Sequence, residues 1–284
     1  MKGLLTAFLW VVFLIAPLSA QELTGTLKQI QTSGNIKIGY RTSHPPMSFL
    51  GKDGKPAGYS IDICSNIVTE VEQKLGRDIG VKYVPVTADE RFKALVDNKI
   101  DILCGATTKT LARMELVAFT ELTFVTGASV LSLKTNDILN GNFNGKKIGV
   151  IKGTTTVDEV KQLFSDTKVT ADIVMLNSAA EGMKRLDKEE IDALAADQVV
   201  LIGLALASED PSNFSISPNS FSYEPFALAV RRNDADFRLV ADRVITHLNK
   251  SEQIFEIYDK WLGQFSTRRA PAFENLVLIN SIPE

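Results

Sequence analysis

Lys147-Ile148-Gly149-Val150 echoes Lys37-Ile38-Gly39-Tyr40, and Glu190-Ile191-Asp192-Ala193-Leu194 echoes Lys99-Ile100-Asp101-Ile102-Leu103, in the same order. These are short apolar runs of strand length. Between the first pair, Ile61, Cys64, Ile67, Val68, Val71 and Leu75 recur at helical spacing and Gly76 closes the helix. A strand at 81–84, a helix at 89–98 with Phe92, Leu95 and Val96 inward, and a short helix at 110–114 follow the same logic. In the second half, Val157, Val160 and Phe164, then Met183 and Leu186, mark further helices. Residues 47–50 and 56–59 bracket the turn Gly51-Lys52-Asp53-Gly54 and read as a hairpin. Strands alternating with helices predict an α/β fold of two lobes, each a mostly parallel sheet covered by helices.

The connection between the lobes is expected at 124–133 and the return at 223–230. Two more helices then carry Phe237, Val240, Val244 and Leu248, and Ile254, Ile257, Tyr258 and Trp261, back to the first lobe. Lobe 1 is therefore expected at 21–127 and 228–284, and lobe 2 at 128–227. Two crossings imply a hinge and a cleft.

Composition narrows the function. The chain has 284 residues, 45% hydrophobic and 23% charged, which excludes collagen-like, disordered and small disulfide-framework classes. A net charge of -3 provides no basic field for nucleic acid. Two histidines and two cysteines, widely scattered, do not spell a metal site, and no cofactor is expected. Lys2, the apolar run at 4–16 and Pro17-Leu18-Ser19-Ala20 read as a cleaved signal peptide, residues 1–20. The alternative, an uncleaved anchor, needs an apolar run of roughly 20 residues, which this one does not reach. Cys64 falls on a helical stripe and Cys104 at a strand end, so the pair either bridges in an oxidising compartment or packs as two small buried residues.

Several segments carry a resemblance over nearly the whole mature chain. Gly58-Tyr59-Ser60-Ile61-Asp62, the run 101–108 with Arg113 after it, Lys152-Gly153-Thr154-Thr155, Ile191-Asp192-Ala193 with Asp197, and Tyr258-Asp259-Lys260-Trp261-Leu262 resemble the periplasmic polar amino-acid binding proteins of ATP-driven importers, solute-binding protein family 3. Within that family, Tyr40-Arg41-Thr42-Ser43 and the run 86–91 sit where the glutamate/aspartate branch carries extra arginines. The resemblance implies a type II, Venus-flytrap fold with two β-strand crossovers as hinge, a periplasmic location, monomeric action and no chemistry on the ligand. It also implies an inner-membrane permease and its ATPase as partners.

An amino acid presents a carboxylate and an ammonium, so its receptor needs a fixed cation and a fixed anion across a water-poor cleft. The resemblance assigns the α-carboxylate to Arg113, whose planar fork suits two parallel hydrogen bonds, with help from the Thr108 hydroxyl and main chain near Ala106. Thr154 and Thr155 contribute from lobe 2, where a helix start offers free N–H groups. Asp197 matches the family's ammonium acceptor. Taken alone, Arg113 has Glu115 near it and Asp197 precedes a helix as a plain N-cap would.

Arg41 and Arg91 are assigned the ligand's side chain. With Arg113 and Asp197 they sum to two positive charges, which favours a ligand carrying a negative one. Asp89 and Glu90 stand beside Arg91, and the competing reading makes either arginine a solvated surface charge. Ala88 stands where that branch has a serine, and Ala179 where it has a histidine, while His44 offers a further donor from a pocket-lining loop or is a turn residue before two prolines. The alternatives on the same fold are a periplasmic dehydratase of prephenate-like acids, using Glu90 or Asp197 as acid or base, and a ligand-sensing partner of a membrane receptor.

Overall fold

The computed structural model describes residues 22–136, 138, 141–265 and 268–283; the expected signal peptide, residues 1–20, lies outside them. The first half runs α1 (Gly25–Ser33), β1 (Asn35–Tyr40), β2 (Ser43–His44), β3 (Ser48–Leu50), β4 (Pro56–Ala57), α2 (Tyr59–Leu75), β5 (Gly80–Pro85), α3 (Arg91–Val96), β6 (Ile102–Cys104), α4 (Leu111–Met114) and β7 (Val117–Thr126). The second runs β8 (Ala128–Leu133), β9 (Lys147–Ile151), α5 (Thr156–Thr167), β10 (Asp172–Leu176), α6 (Ala179–Asp187), β11 (Ala193–Asp197), α7 (Gln198–Ala207) and β12 (Phe214–Ile216). The chain closes with β13 (Glu224–Arg231), α8 (Ala235–Lys250), α9 (Gln253–Leu262) and α10 (Pro271–Ile279).

Two five-stranded sheets form the two lobes, ordered β5-β1-β6-β13-β7 and β10-β9-β11-β8-β12, with a small sheet β2-β3-β4 beside the first. The echoed segments occupy equivalent places: β1 lies between β5 and β6, and β9 between β10 and β11, all parallel. The expected "mostly parallel" sheets are mixed, because β13, β7 and β8 join antiparallel. That follows from the crossings. A strand returning from the other lobe enters the sheet from the opposite end.

Helix α2 buries Ile61, Cys64, Ile67, Val68 and Val71, the predicted stripe, and stops where Gly76 turns left-handed at φ 64°. Helices α1 and α10 were not expected from the periodicity. α10 inserts Phe273 into an aromatic cluster with Tyr59, Phe124, Phe255 and Tyr258, the closest ring centroids being Phe273 and Tyr258 at 4.6 Å. The Tyr59 hydroxyl donates to the Thr123 carbonyl at 2.8 Å, so this cluster fixes the strand that leads out of the first lobe. Burying a phenyl ring of this kind stabilises by roughly 1.5–3 kcal/mol. Cys64 and Cys104 form a disulfide that ties α2 to the end of β6.

β7 leaves the first sheet and continues through Gly127 into β8 of the second. β13 returns alongside it, pairing Glu224 with Thr126. The cleft lies where these strands cross.

Candidate ligand-binding cleft

The C-terminal ends of β1, β6 and β11 deliver the cleft residues, as open α/β sheets do. Arg41 follows β1 and is buried, its stem packed on Gly105, where a Cβ would sit 3.1 Å from the Arg41 Cγ. Arg91 opens α3 and is only 2% exposed. Its Nη1 donates to the Ala88 carbonyl, which leaves Nε sealed and without a partner. Asp89 pairs with Lys152 while still favouring the charged form of Arg91, and Glu90 accepts from Thr87; Arg91 itself is buried, not the solvated surface charge of the competing reading. The Phe92 ring carries Arg91 Cζ at 4.5 Å and Arg113 Cζ at 5.4 Å from its centroid, and its negative face helps hold two cations near each other.

Arg113 sits in the short helix α4, whose N-cap Thr110 accepts from the Arg113 N–H at 3.2 Å. Its Nη1 donates to the Thr108 carbonyl at 2.8 Å, and its Nη2 reaches the Gly153 carbonyl of the other lobe at 3.4 Å. Nε and the second proton of each Nη stay available for a carboxylate fork. Among the described residues no ion pair joins the Arg113 and Glu115 side chains; the Glu115 carbonyl accepts from Arg232.

Asp197 ends β11 and precedes α7, but its side chain makes no capping bond. Its Oδ1 is sealed from solvent and unpartnered. Burial and the nearby Glu224 push its carboxyl up to about 7, against the pull of Arg113 and Arg91. Burial brings Arg41 down to about 10, with Asp197 opposing. Arg91 is lowered well below its ordinary value by burial and by repulsion from Arg113 and Arg41. His44 is buried on β2 rather than in an exposed turn, its Nδ1 is unpartnered, and burial with the two arginines keeps it neutral. Buried donors and acceptors are normally paired, and the orphans at Arg91, Asp197 and His44 lie within electrostatic reach of one another, a cluster able to receive a polar ligand.

The threonines are arranged differently from expectation. Thr154 donates to its own lobe, to the Ile151 carbonyl at 2.7 Å. Thr108 and Thr155, 3.4 Å apart, both donate to Glu224 Oε2, so in this structure their hydroxyl protons go to a protein carboxylate. Glu224 was not among the residues chosen from the sequence. Its only signal there is an acid opening an otherwise apolar strand, Glu224-Pro225-Phe226-Ala227-Leu228. Ala88 and Ala106 are buried, and Ala179 is buried at the start of α6.

The lobes touch across the cleft. A Cβ on Gly153, at φ 76°, would fall 2.8 Å from the Asp89 Cα, and one on Gly203 of α7 would fall 2.2 Å from the Pro45 carbonyl oxygen. This is a shut cleft with buried charges inside.

A family model described as "Bacterial extracellular solute-binding proteins, family 3" matches residues 36–264. The chain belongs to that family. Among curated relatives, this solute-binding protein is 33% identical over 265 residues to an L-glutamate/L-aspartate-binding protein of Pseudomonas aeruginosa, covering 92% of this chain and 88% of the relative. It is 30% identical over 238 residues to a glutamate/aspartate import solute-binding protein of Salmonella typhimurium, covering 83% and 79%. Its fold matches a Streptococcus pneumoniae ABC uptake transporter substrate binding protein solved with bound histidine, at a TM-score of 0.75, 23% identity and coverage of 83% and 95%.

Proposed function

We propose that the protein captures an acidic amino acid, glutamate or aspartate, in this cleft by hinge closure and hands it to an ABC importer, doing no chemistry on it. One observation carries the reading: two buried guanidinium groups, Arg41 and Arg91, and the partly buried Arg113 converge on a sealed carboxylate, Asp197, with Arg91 Nε and Asp197 Oδ1 left unpartnered. Arg113 takes the α-carboxylate, Asp197 the ammonium, and Arg41 and Arg91 with neutral His44 the side-chain carboxylate. Ala106 main chain and the start of α5 after Thr155 complete the carboxylate seat. The ligand's charges then supply what each group lacks, an anion for the arginines and a cation for Asp197.

The relatives' glutamate/aspartate specificity supports the same reading. With residues 1–20 removed on export, the protein works in the periplasm as a monomer, with lobes at 21–127 plus 228–284 and at 128–227, and presents both lobe faces to the permease only when shut. Of the two acids a dehydratase reading would enlist, Glu90 is exposed and hydrogen-bonded to Thr87, and Asp197 is the buried carboxylate that the amino-acid reading gives to the ammonium.

The test is a thermal-shift panel of the common amino acids on ligand-stripped protein. A cognate ligand at 100 times its dissociation constant stabilises by about 2.7 kcal/mol. Glutamate and aspartate are expected to lead. A panel in which neither shifts the midpoint, or turnover of prephenate by the purified protein, would replace the reading.

A further inference from the structure

Glu224 begins β13, on the strand that crosses between the lobes, and is 1% exposed. Its carboxylate is held from three sides. Oε2 accepts from Thr108 of the first lobe at 2.5 Å and from Thr155 of the second at 2.8 Å, and Oε1 accepts from Ser222 at 2.7 Å. It favours the charged form of Arg113 and raises the carboxyl of Asp197, so its charge is felt inside the cleft. With Asp197 ionised opposite a ligand ammonium, three guanidinium cations, Arg41, Arg91 and Arg113, face two carboxylates, Asp197 and Glu224, a sum of one positive charge before the ligand's own charge is added.

That balance selects among solutes. An amino acid with a side-chain carboxylate has a net single negative charge and brings the site to neutrality. A dicarboxylate of the same length without an ammonium has two, and leaves the site overcharged with Asp197 facing no cation. Were Glu224 uncharged, the doubly charged acid would be the matched one. In a dry cleft an unbalanced charge is costly. We propose that Glu224 is a specificity-determining residue of the cleft, the fixed charge that makes it take monoanionic amino acids and refuse dianionic dicarboxylates. The inference rests on the amino-acid reading above. Thr155 reaches Glu224 from the second lobe, so the carboxylate is held in full only when the cleft is shut.

Calorimetry with glutamate and with 2-oxoglutarate, which keeps both carboxylates and lacks the ammonium, tests this on stripped wild-type protein, Glu224→Gln and Glu224→Asp. Wild type is expected to prefer glutamate by about 100-fold or more, and Glu224→Gln to shrink that ratio by about tenfold or more. Glu224→Asp keeps the charge but draws it back from the threonines; both ligands weaken and the ratio stays within about threefold of wild type. Should the Gln variant not fold, Glu224→Ser, which leaves room for water, replaces it. A ratio unchanged on loss of the charge, or shifted as far by Asp as by Gln, overturns the proposal. Wild-type protein that gives no heat with any amino acid overturns the amino-acid reading and this inference together, which the variants alone cannot do.

Discussion

Lys152 Nζ lies 3.7 Å from Asp89 Oδ2, an ion pair that joins the rims of the two lobes outside the buried charges. Both side chains are about half exposed, so the pair is screened and contributes at most about 1 kcal/mol. Asp89→Asn is expected to weaken every ligand alike, by less than about fivefold, and to lose that effect in high salt. A large or ligand-selective effect in calorimetry would place Asp89 inside the site.

Arg113→Lys keeps the charge and loses the fork. Affinity for all amino acids that bind should fall together, by about 10- to 100-fold, the equivalent of one charge-assisted hydrogen bond. Unchanged calorimetric affinity removes Arg113 from the carboxylate seat.

Arg91→Met separates binding from folding. The guanidinium is stripped of water and repelled by Arg113 and Arg41, so the empty protein should unfold no earlier, and its midpoint is expected to rise. Glutamate affinity should fall by about 30-fold or more while a neutral amino acid changes little. A lower midpoint without ligand, with equal losses for both ligands, would make Arg91 a structural residue.

Asp197 gives the pH dependence. Its folded pKa of about 7 lies above its ordinary 3.8, so the ionised group opposes the empty shut form fully above pH 7. That penalty fades as pH falls from 7 toward 3.8. A ligand ammonium relieves it only where Asp197 is ionised. The dissociation constant should thus be flat above pH 7 and weaken by up to about tenfold per pH unit from 7 down to 5.5, while Asp197→Asn binds weakly at every pH. A wild-type profile flat from pH 8 to 5.5 would contradict the ammonium role.

The strands and helices that follow a plain period were legible in the sequence: β1 and β9 as echoes, α2 from one apolar stripe. α10 was not, because Phe273, Leu276 and Val277 form a short buried face next to exposed Leu278 and Ile279, which blurs the helical alternation. Arg41 and Arg91 were legible through resemblance, yet only tertiary packing reveals that Arg91 is buried while Asp89 pairs with Lys152 and Glu90 with Thr87. Glu224 was invisible for a related reason. Its partners, Thr108 and Thr155, lie 116 and 69 residues away, and no local spacing encodes a contact made by strands crossing between lobes.

β13 lies between β6 and β7, although all of the second sheet is encoded before it. The first lobe is therefore the last to be finished. A nascent chain that has emerged through β12 holds β5-β1-β6 with an open edge, a β7 without its neighbour, and Tyr59 and Phe124 still waiting for Tyr258 and Phe273. Such long-range closure makes folding slow. On the export proposed above, a chain that crosses a membrane before folding gains from that delay, because the strand and helices that complete its first lobe are the last to be made.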